Sequence, residues 1–188
     1  MHVTAWLSAL LLVGLLLLEV VLRRGVEARS WEAGEDDRSS TRLIVVTYVV
    51  AFIAPLALGS AGAGATRTDS LLAWIGIALG GCGLAVRIWS MRVLGSSYTR
   101  SLRTTADQTI VDSGPYRVIR HPGYLGSILV WTGSRLALNW LVAIATVVVL
   151  GGVYAYRINA EERMLIKHFG SAYDAYKAHT WRLVPYVW

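Results

Sequence analysis

Residues 71–94 read LLAWIGIALGGCGLAVRIWSMRVL, an apolar run whose only charged side chains are two arginines. An α-helix rises about 1.5 Å per residue and the hydrocarbon core of a bilayer is about 30 Å thick, so about 20 apolar residues make one crossing. The run predicts a tilted transmembrane helix in which Arg87 extends to the membrane surface or lines a polar cavity. Gly76 and Gly80, with Gly83 nearby, indicate close packing against another helix.

Four more apolar stretches surround this one, at residues 3–22, 43–61, 124–138 and 140–156. The 188 residues are 55% apolar and 16% charged, against roughly 45–50% and 25% in soluble domains, which excludes an ordinary soluble fold. We predict an all-α integral membrane protein with about five transmembrane helices, the last two forming a helical hairpin around Asn139. Residues 1–94 then form a three-span region, and residues 95–188 hold a polar loop, the hairpin and an amphipathic cytoplasmic helix within one integrated domain.

The basic residues predict the orientation of the chain. Sixteen of the eighteen lysines and arginines flank the first and third loops between spans or follow the last span. Because basic residues accumulate on the cytoplasmic side, we expect the N-terminus outside and the C-terminus in the cytoplasm. This distribution accounts for the net charge of +6 without a nucleic-acid-binding face, so no nucleic-acid partner is expected. The single cysteine, Cys82, excludes an intramolecular disulfide, and no metal site is predicted from the histidine spacing.

Two cytoplasmic stretches are rich in polar and conformationally special residues. The first contains DSGPY at 112–116 and RHPGYLG at 120–126. Proline fixes its own φ and biases the preceding residue toward extended conformations, so the chain reaches the fourth span as a shaped loop that can present backbone amides to a ligand. A simple turn followed by an ordinary helix start is the alternative explanation, and spacing alone does not separate the two.

The second stretch leaves the last span with a basic residue and two carboxylates. Arg157 and Glu161 are four residues apart on one helical face, where they form either an ordinary ion pair or, at the mouth of a helix bundle, a site for a charged ligand. After Glu162, apolar residues recur at helical spacing from Leu165 to Tyr176. This pattern predicts an amphipathic helix that lies on the membrane or covers the bundle.

Both stretches resemble one protein family. The segments SGPY (113–116), RHPGYLG (120–126), EE (161–162) and RLVP (182–185) are similar, in order and spacing, to isoprenylcysteine carboxyl methyltransferases. The resemblance covers roughly residues 95–185. It implies an integral membrane enzyme that transfers a methyl group from S-adenosylmethionine, bound on the cytoplasmic side, to a lipid-like acceptor. The implied partners are a lipid or prenylated acceptor and membrane lipids, and the oligomeric state is not predicted.

The resemblance also implies the site residues. Those expected to approach the cofactor are Gln108, Thr109, Ile110, Val111 and Tyr116, although Gln108 stands where some eukaryotic members have histidine. The residues implied to form the main cradle of the cofactor are His121, Pro122, Gly123 and Tyr124. Glu161 and Glu162 are implied to bind its polar end, and Arg157 to bind the acceptor. His121 and Arg157 are therefore the candidate catalytic residues.

The chemistry of the acceptor stays open at this point. A carboxylate, with a pKa near 4, is already ionised at neutral pH and needs no general base, and Arg157 can hold it through two hydrogen bonds. A phenolic lipid, with a pKa near 10, needs deprotonation, for which His121 and Glu162 are candidates. Phospholipid methyltransferases resemble the chain in the same motifs. A second alternative is a membrane reductase that uses NADPH, because such reductases share a related C-terminal half. A third is a non-catalytic membrane scaffold, which would bind no cofactor.

Overall fold

The structure is a computed structural model that describes residues 3–21, 37, 39–58, 62–67, 70–95 and 109–188. Within these residues the chain forms six α-helices and a 3₁₀ turn, and no β-strand. The elements are α1 (Val3–Val21), α2 (Ser40–Leu58), α3 (Leu71–Leu94), the 3₁₀ turn (Gly114–Arg117), α4 (Pro122–Leu136), α5 (Trp140–Phe169) and α6 (Ser171–Ala178). The predicted all-α class is confirmed.

The helices follow the predicted apolar runs except near the C-terminus. Helix α5, which contains the last apolar run at 140–156, continues without a break to Phe169. The predicted amphipathic helix is split in two, since Gly170 has a φ of 56° and separates α5 from α6. This left-handed conformation favours glycine, which has no Cβ to clash. As a result, Arg157 and Glu161 lie on the same continuous helix as the last apolar run.

The bundle exposes large apolar side chains and buries small polar ones. Apolar residues face outward along α1, α2, α3 and α5, with Leu71 77% and Val148 68% exposed. By contrast, Ser8, Ser127 and Ser134 are buried. A soluble surface rarely carries apolar patches this extensive, whereas lipid covers such a surface at no cost. In the described part of the chain, α3 and α5 are the two helices long and apolar enough to cross a membrane by length and composition.

Glycines bring α3 and α4 into close contact. A Cβ atom on Gly133 would lie 2.4 Å from the carbonyl oxygen of Gly76, and one on Gly126 would lie 2.8 Å from the carbonyl oxygen of Gly83. Each of these distances is shorter than a van der Waals contact, so the two backbones touch where side chains would otherwise separate them. The predicted packing role of the α3 glycines is confirmed, and Gly126 and Gly133 are their partners on α4.

Arg87 connects α3 to α1. Its guanidinium is buried and ion-paired with Glu19, which gives it a polar partner inside the bundle. Its Nε donates to Glu19 Oε1 across 3.1 Å. A Cβ atom on Gly123 would lie 2.6 Å from Arg87 NH1, so the absence of a side chain at 123 lets the start of α4 pack directly on this ion pair.

Arg135, near the end of α4, connects α4 to α2. Its NH2 donates to the carbonyl oxygen of Ala51 across 2.7 Å. Pro55 follows Ala51 by four residues and has no N–H, so the helix itself offers this carbonyl no partner. Arg135 therefore supplies the hydrogen bond that Pro55 removes. Four residues after Arg135, Asn139 caps α5 by accepting from Val142 N across 3.2 Å.

Candidate functional site

The loop before α4 is held in place by the C-terminal segment. Arg120 N donates to Trp181 O across 2.7 Å, and Trp181 N donates to Val118 O across 2.9 Å. His121 N then donates to Arg182 O across 3.1 Å. This short parallel pairing fixes the backbone immediately before Pro122 begins α4, where a missing N–H costs no helical hydrogen bond. The loop therefore has a defined shape, as the prolines predicted. This shape also depends on backbone hydrogen bonds to the C-terminal segment at Trp181 and Arg182.

His121 lies between the two carboxylates of α5. Its Nδ1 is 3.7 Å from Glu161 Oε2 and its Nε2 is 3.5 Å from Glu162 Oε1. Its ring also stacks on Tyr124, with the centroids 5.6 Å apart and the planes 10° from parallel. The predicted loop and the predicted acidic pair thus meet on one side of the bundle, close enough for one small molecule to contact both.

Glu162 is the buried centre of an ion-pair network. Its Oε1 accepts from Arg120 Nε across 2.9 Å, and its Oε2 accepts from Arg182 Nε across 3.0 Å. The side chain is 4% exposed, so its charge is balanced inside the protein. Arg120 also donates through NH1 to the carbonyl oxygen of Thr180. The network holds α5, the loop before α4 and the C-terminal segment together beside His121.

Glu161 and Arg157 are joined by Tyr124. The Tyr124 hydroxyl donates to Glu161 Oε2 across 2.6 Å and accepts from Arg157 Nε across 3.2 Å. The Glu161 side chain is 25% exposed, much more than that of Glu162. Tyr154 also stacks on Tyr124, with centroids 4.8 Å apart. Glu161 is therefore the carboxylate of this cluster that a ligand can reach.

Asp37 completes the site and was missed by sequence reasoning. Its Oδ1 accepts from Arg157 NH1 across 2.5 Å, and both residues are buried. Burial alone raises the pKa of Asp37, but the hydrogen bond from Thr41 and the charge of Arg157 lower it by more than burial raises it. The pKa of Asp37 therefore lies below the usual 3.8. Before α2, an aspartate with Ser40 and Thr41 after it looks like a helix cap. No local pattern connects it to an arginine on α5.

The structure does not bring every predicted residue to this cluster. Pro122 and Gly123 are buried beside His121, whereas Thr109 is exposed and Ile110 and Val111 are half-buried. Tyr116 is buried, and its carbonyl oxygen accepts from the Tyr176 hydroxyl across 2.8 Å. Gln108 lies outside the described residues. The residues that converge are His121, Tyr124, Arg157, Glu161, Glu162 and Asp37.

Comparison with known proteins extends this result. A solved structure of a eukaryotic intramembrane Ras methyltransferase, isoprenylcysteine carboxyl methyltransferase, superposes on 96% of this chain and 64% of its own with a TM-score of 0.65 at 23% sequence identity. At this identity the likeness shows a shared fold. The helical bundle described above is therefore an arrangement already known from an intramembrane protein.

Sequence comparison identifies relatives with shared names. Over 116 residues the chain is 31% identical to a protein-S-isoprenylcysteine O-methyltransferase of Dictyostelium discoideum, covering 60% of this chain and 48% of that protein. Over 108 residues it is 32% identical to the protein of the same name from Saccharomyces cerevisiae, covering 56% and 45%. The chain thus spans about half the length of these curated relatives. The model of the isoprenylcysteine carboxyl methyltransferase (ICMT) family matches residues 74–167, half of the chain, which therefore belongs to this family.

Proposed function

We propose that this chain is an integral membrane methyltransferase that transfers a methyl group from S-adenosylmethionine to the carboxylate of an isoprenylcysteine-like lipid. The observation that carries the proposal is the convergence of His121, Tyr124 and Glu161, which come from two segments inside the matched residues 74–167. The relatives named above supply the acceptor class, because their names specify O-methylation of isoprenylcysteine.

The residues of the cluster fit S-adenosylmethionine chemically. The partly exposed carboxylate of Glu161 suits the cofactor's ammonium group or ribose hydroxyls. The stacked rings of His121, Tyr124 and Tyr154 offer aromatic faces, and aromatic faces attract a sulfonium cation. When bound, the cofactor would supply an activated methyl group to the acceptor oxygen, and its sulfur would keep the electron pair of the broken carbon–sulfur bond and become a neutral thioether.

The other predicted residues are assigned less direct roles in this proposal. Glu162 acts indirectly in this proposal, because its oxygens hold His121, Arg120 and Arg182. Pro122 and Gly123, buried beside His121, are proposed to form the rest of the cradle. The residues of the preceding loop stay predicted cofactor contacts, as the family resemblance implies: Gln108, Thr109, Ile110, Val111 and Tyr116.

Arg157 is proposed to bind the acceptor carboxylate. A carboxylate with a pKa near 4 carries its negative charge at neutral pH, so its oxygen can attack a methyl group without a general base. The protein then contributes position, and orienting two reactants can supply about 7 kcal/mol or more of a barrier. Arg157 lies one hydroxyl away from Glu161, so an acceptor at the arginine and a cofactor at the glutamate are neighbours.

The proposal includes a membrane arrangement. Helices α1 to α5 each cross the bilayer, α4 and α5 form a hairpin through residues 137–139, and α6 lies at the cytoplasmic surface with the site. The N-terminus is outside, and residues 1–94 form a three-span region integrated with residues 95–188. In support, Arg120, Arg157 and Arg182 gather at the site, as expected for the cytoplasmic side.

Isothermal titration of the detergent-purified protein with S-adenosylhomocysteine tests the cofactor. We expect binding by the unaltered protein and a loss of affinity of about tenfold or more in His121→Ala and Glu161→Gln. The first variant loses an aromatic ring proposed to face the sulfonium, and the second loses the charge proposed to bind the ammonium group or ribose hydroxyls. Asp174→Asn, which changes an exposed carboxylate on α6, should bind normally. Protection from thermal unfolding by NADPH but not by S-adenosylhomocysteine would contradict the proposal.

The acceptor is tested by methyl transfer. We expect label from methyl-labelled S-adenosylmethionine to appear on N-acetyl-S-farnesylcysteine as a base-labile ester. The corresponding methyl ester, whose carboxylate is already blocked, should accept no label. Label that appears only on a phospholipid or a phenolic lipid would show that the acceptor assignment is wrong while leaving the cofactor assignment intact.

A further inference from the structure

Asp37 lies outside the matched residues 74–167 and yet reaches the centre of the site. Its carboxylate is 2% exposed, and its closest contact is with Arg157 NH1 at 2.5 Å. The two residues are separated by 120 positions in sequence. The N-terminal half of the chain, which carries no family motif, thus contributes directly to the arginine that faces the proposed acceptor.

The start of α2 forms a complete socket for one nitrogen of Arg157. Besides contacting Asp37, NH1 donates to Ser40 Oγ across 2.7 Å and to Thr41 Oγ1 across 2.9 Å. The Asp37 carboxylate in turn accepts from Thr41 Oγ1 across 2.7 Å and from Ser40 Oγ across 3.1 Å. Because the carboxylate is buried and bonded by several donors, it is a fixed partner of Arg157 and not a group that an incoming acceptor displaces.

A helix-capping role alone does not account for this geometry. A capping carboxylate is directed at backbone N–H groups of the first turn. Asp37 makes such a contact with Thr41 N at 3.3 Å, and this contact is longer than its contact with Arg157. The shortest of these contacts is the one that Arg157 NH1 donates to Asp37 Oδ1.

The opposite edge of the guanidinium faces the proposed cofactor side. Arg157 Nε donates to the Tyr124 hydroxyl, which donates to Glu161. With NH1 fixed by Asp37 and Nε fixed by Tyr124, the plane of the guanidinium has one orientation. Planar guanidinium groups recognise carboxylates through this fixed geometry.

We propose that Asp37 is a positioning residue for the methyl acceptor: it holds Arg157 in the orientation that receives the acceptor carboxylate beside Tyr124 and Glu161. The inference rests on the proposed function and adds to it a residue that determines acceptor affinity. It also assigns the chain immediately before α2 to the acceptor side of the site. Contacts among the described residues connect Asp37 to Glu161 through Arg157 and Tyr124, so we expect substitutions of Asp37 to affect the cofactor side less than the acceptor side.

The test measures acceptor binding without turnover. N-acetyl-S-farnesylcysteine is titrated into detergent-purified protein saturated with S-adenosylhomocysteine, and S-adenosylhomocysteine affinity is measured separately. For Asp37→Ala we expect acceptor affinity to fall on the order of tenfold while S-adenosylhomocysteine affinity stays within about twofold. Asp37→Asn keeps one oxygen for Arg157 and should recover part of the loss. Asp174→Asn is the matched surface control and should change neither affinity.

Thr41→Val provides a second variant if Asp37→Ala does not fold, because it removes one hydroxyl that contacts both Asp37 and Arg157. It should lower acceptor affinity in the same selective way. Equal acceptor binding by the unaltered protein and the variants, or parallel loss of both affinities, overturns the inference alone. No acceptor binding by the unaltered protein overturns the acceptor assignment of the proposed function and the inference with it.

Discussion

Tyr124 donates its hydroxyl proton to Glu161 Oε2 across 2.6 Å, and this contact joins α4 to α5 at the candidate site. The same hydroxyl accepts from Arg157 Nε. A single phenol therefore lies between the group proposed to bind the cofactor and the group proposed to bind the acceptor. Removal of the Tyr124 hydroxyl should therefore weaken the binding of both cofactor and acceptor without unfolding the protein.

Tyr124→Phe tests this bridge. The ring can still stack on His121 and Tyr154, so we expect the fold to persist. A hydrogen bond to a charged group is worth about 1.5–3 kcal/mol, so affinity for S-adenosylhomocysteine should fall on the order of tenfold. Titration calorimetry measures this change. Tyr154→Phe is the matched control, because its hydroxyl contacts Tyr48 instead, and equal losses in the two variants would contradict the bridging role.

The two adjacent glutamates should behave differently. Glu161→Gln alters a partly exposed carboxylate, so we expect weaker S-adenosylhomocysteine binding with little change in the free energy of unfolding. Glu162→Gln leaves Arg120 and Arg182 without their buried counter-charge, and breaking a buried ion pair costs about 3 kcal/mol or more.

Thermal unfolding in detergent, followed beside cofactor titration, separates these two effects. The expected pattern is a lower midpoint for Glu162→Gln and a normal midpoint for Glu161→Gln. A stable Glu162→Gln protein that has lost only its cofactor affinity would mean that Glu162 contacts the cofactor directly. That outcome would restore the role that the family resemblance implies for it.

The elements that could be predicted are those set by local patterns. The apolar run at 71–94 predicts α3 with its observed bounds, because hydrophobic length alone decides a crossing. The convergence of His121 and Glu161 was predicted only through resemblance to a family. The socket of Asp37 and the network of Arg182 could not be predicted, because each depends on contacts between distant residues that leave no periodic signal.

Glycine substitutions test the contact between α3 and α4. For Gly133→Ala, the new Cβ would lie 2.4 Å from Gly76 O and Gly80 N, both of them backbone atoms that cannot rotate away. We expect destabilisation of about 1–3 kcal/mol, measured as a lower unfolding midpoint in detergent. Gly152→Ala on α5 has open space around its Cβ and should be neutral or slightly stabilising, since alanine favours helix. Similar losses in both variants would show that the close contact is not the cause.

The contact of Arg135 with Ala51 O predicts coupling between two distant substitutions. Arg135→Met removes the donor to a carbonyl that Pro55 leaves without a helical partner, which should cost about 1–3 kcal/mol. In a Pro55→Ala background the restored N–H can take that carbonyl, so Arg135→Met should cost less there. A double-mutant cycle on unfolding free energies measures the difference, for which we expect a coupling of about 1 kcal/mol. Strict additivity of the two changes would show that Arg135 does not replace the missing hydrogen bond.

The lowered pKa of Asp37 predicts how its contribution to stability changes with pH. A carboxyl group with a lower pKa in the folded state stabilises the fold fully above its unfolded pKa, near 4, and loses that contribution as pH falls through the folded value. The unfolding free energy of the unaltered protein should therefore exceed that of Asp37→Asn by a constant amount between about pH 5 and 7. The difference should shrink below about pH 4.

Unfolding of both proteins in the same detergent, across this pH range, measures the difference. Asp174→Asn serves as the control, because an exposed pair such as Asp174 with Lys177 contributes little at any pH. A gap between the unaltered protein and Asp37→Asn that widens in acid would mean that the pKa of Asp37 is raised, not lowered, in the folded state. Arg157 would then not favour the charged form of Asp37 as their contact implies, and the positioning of the guanidinium would need another cause.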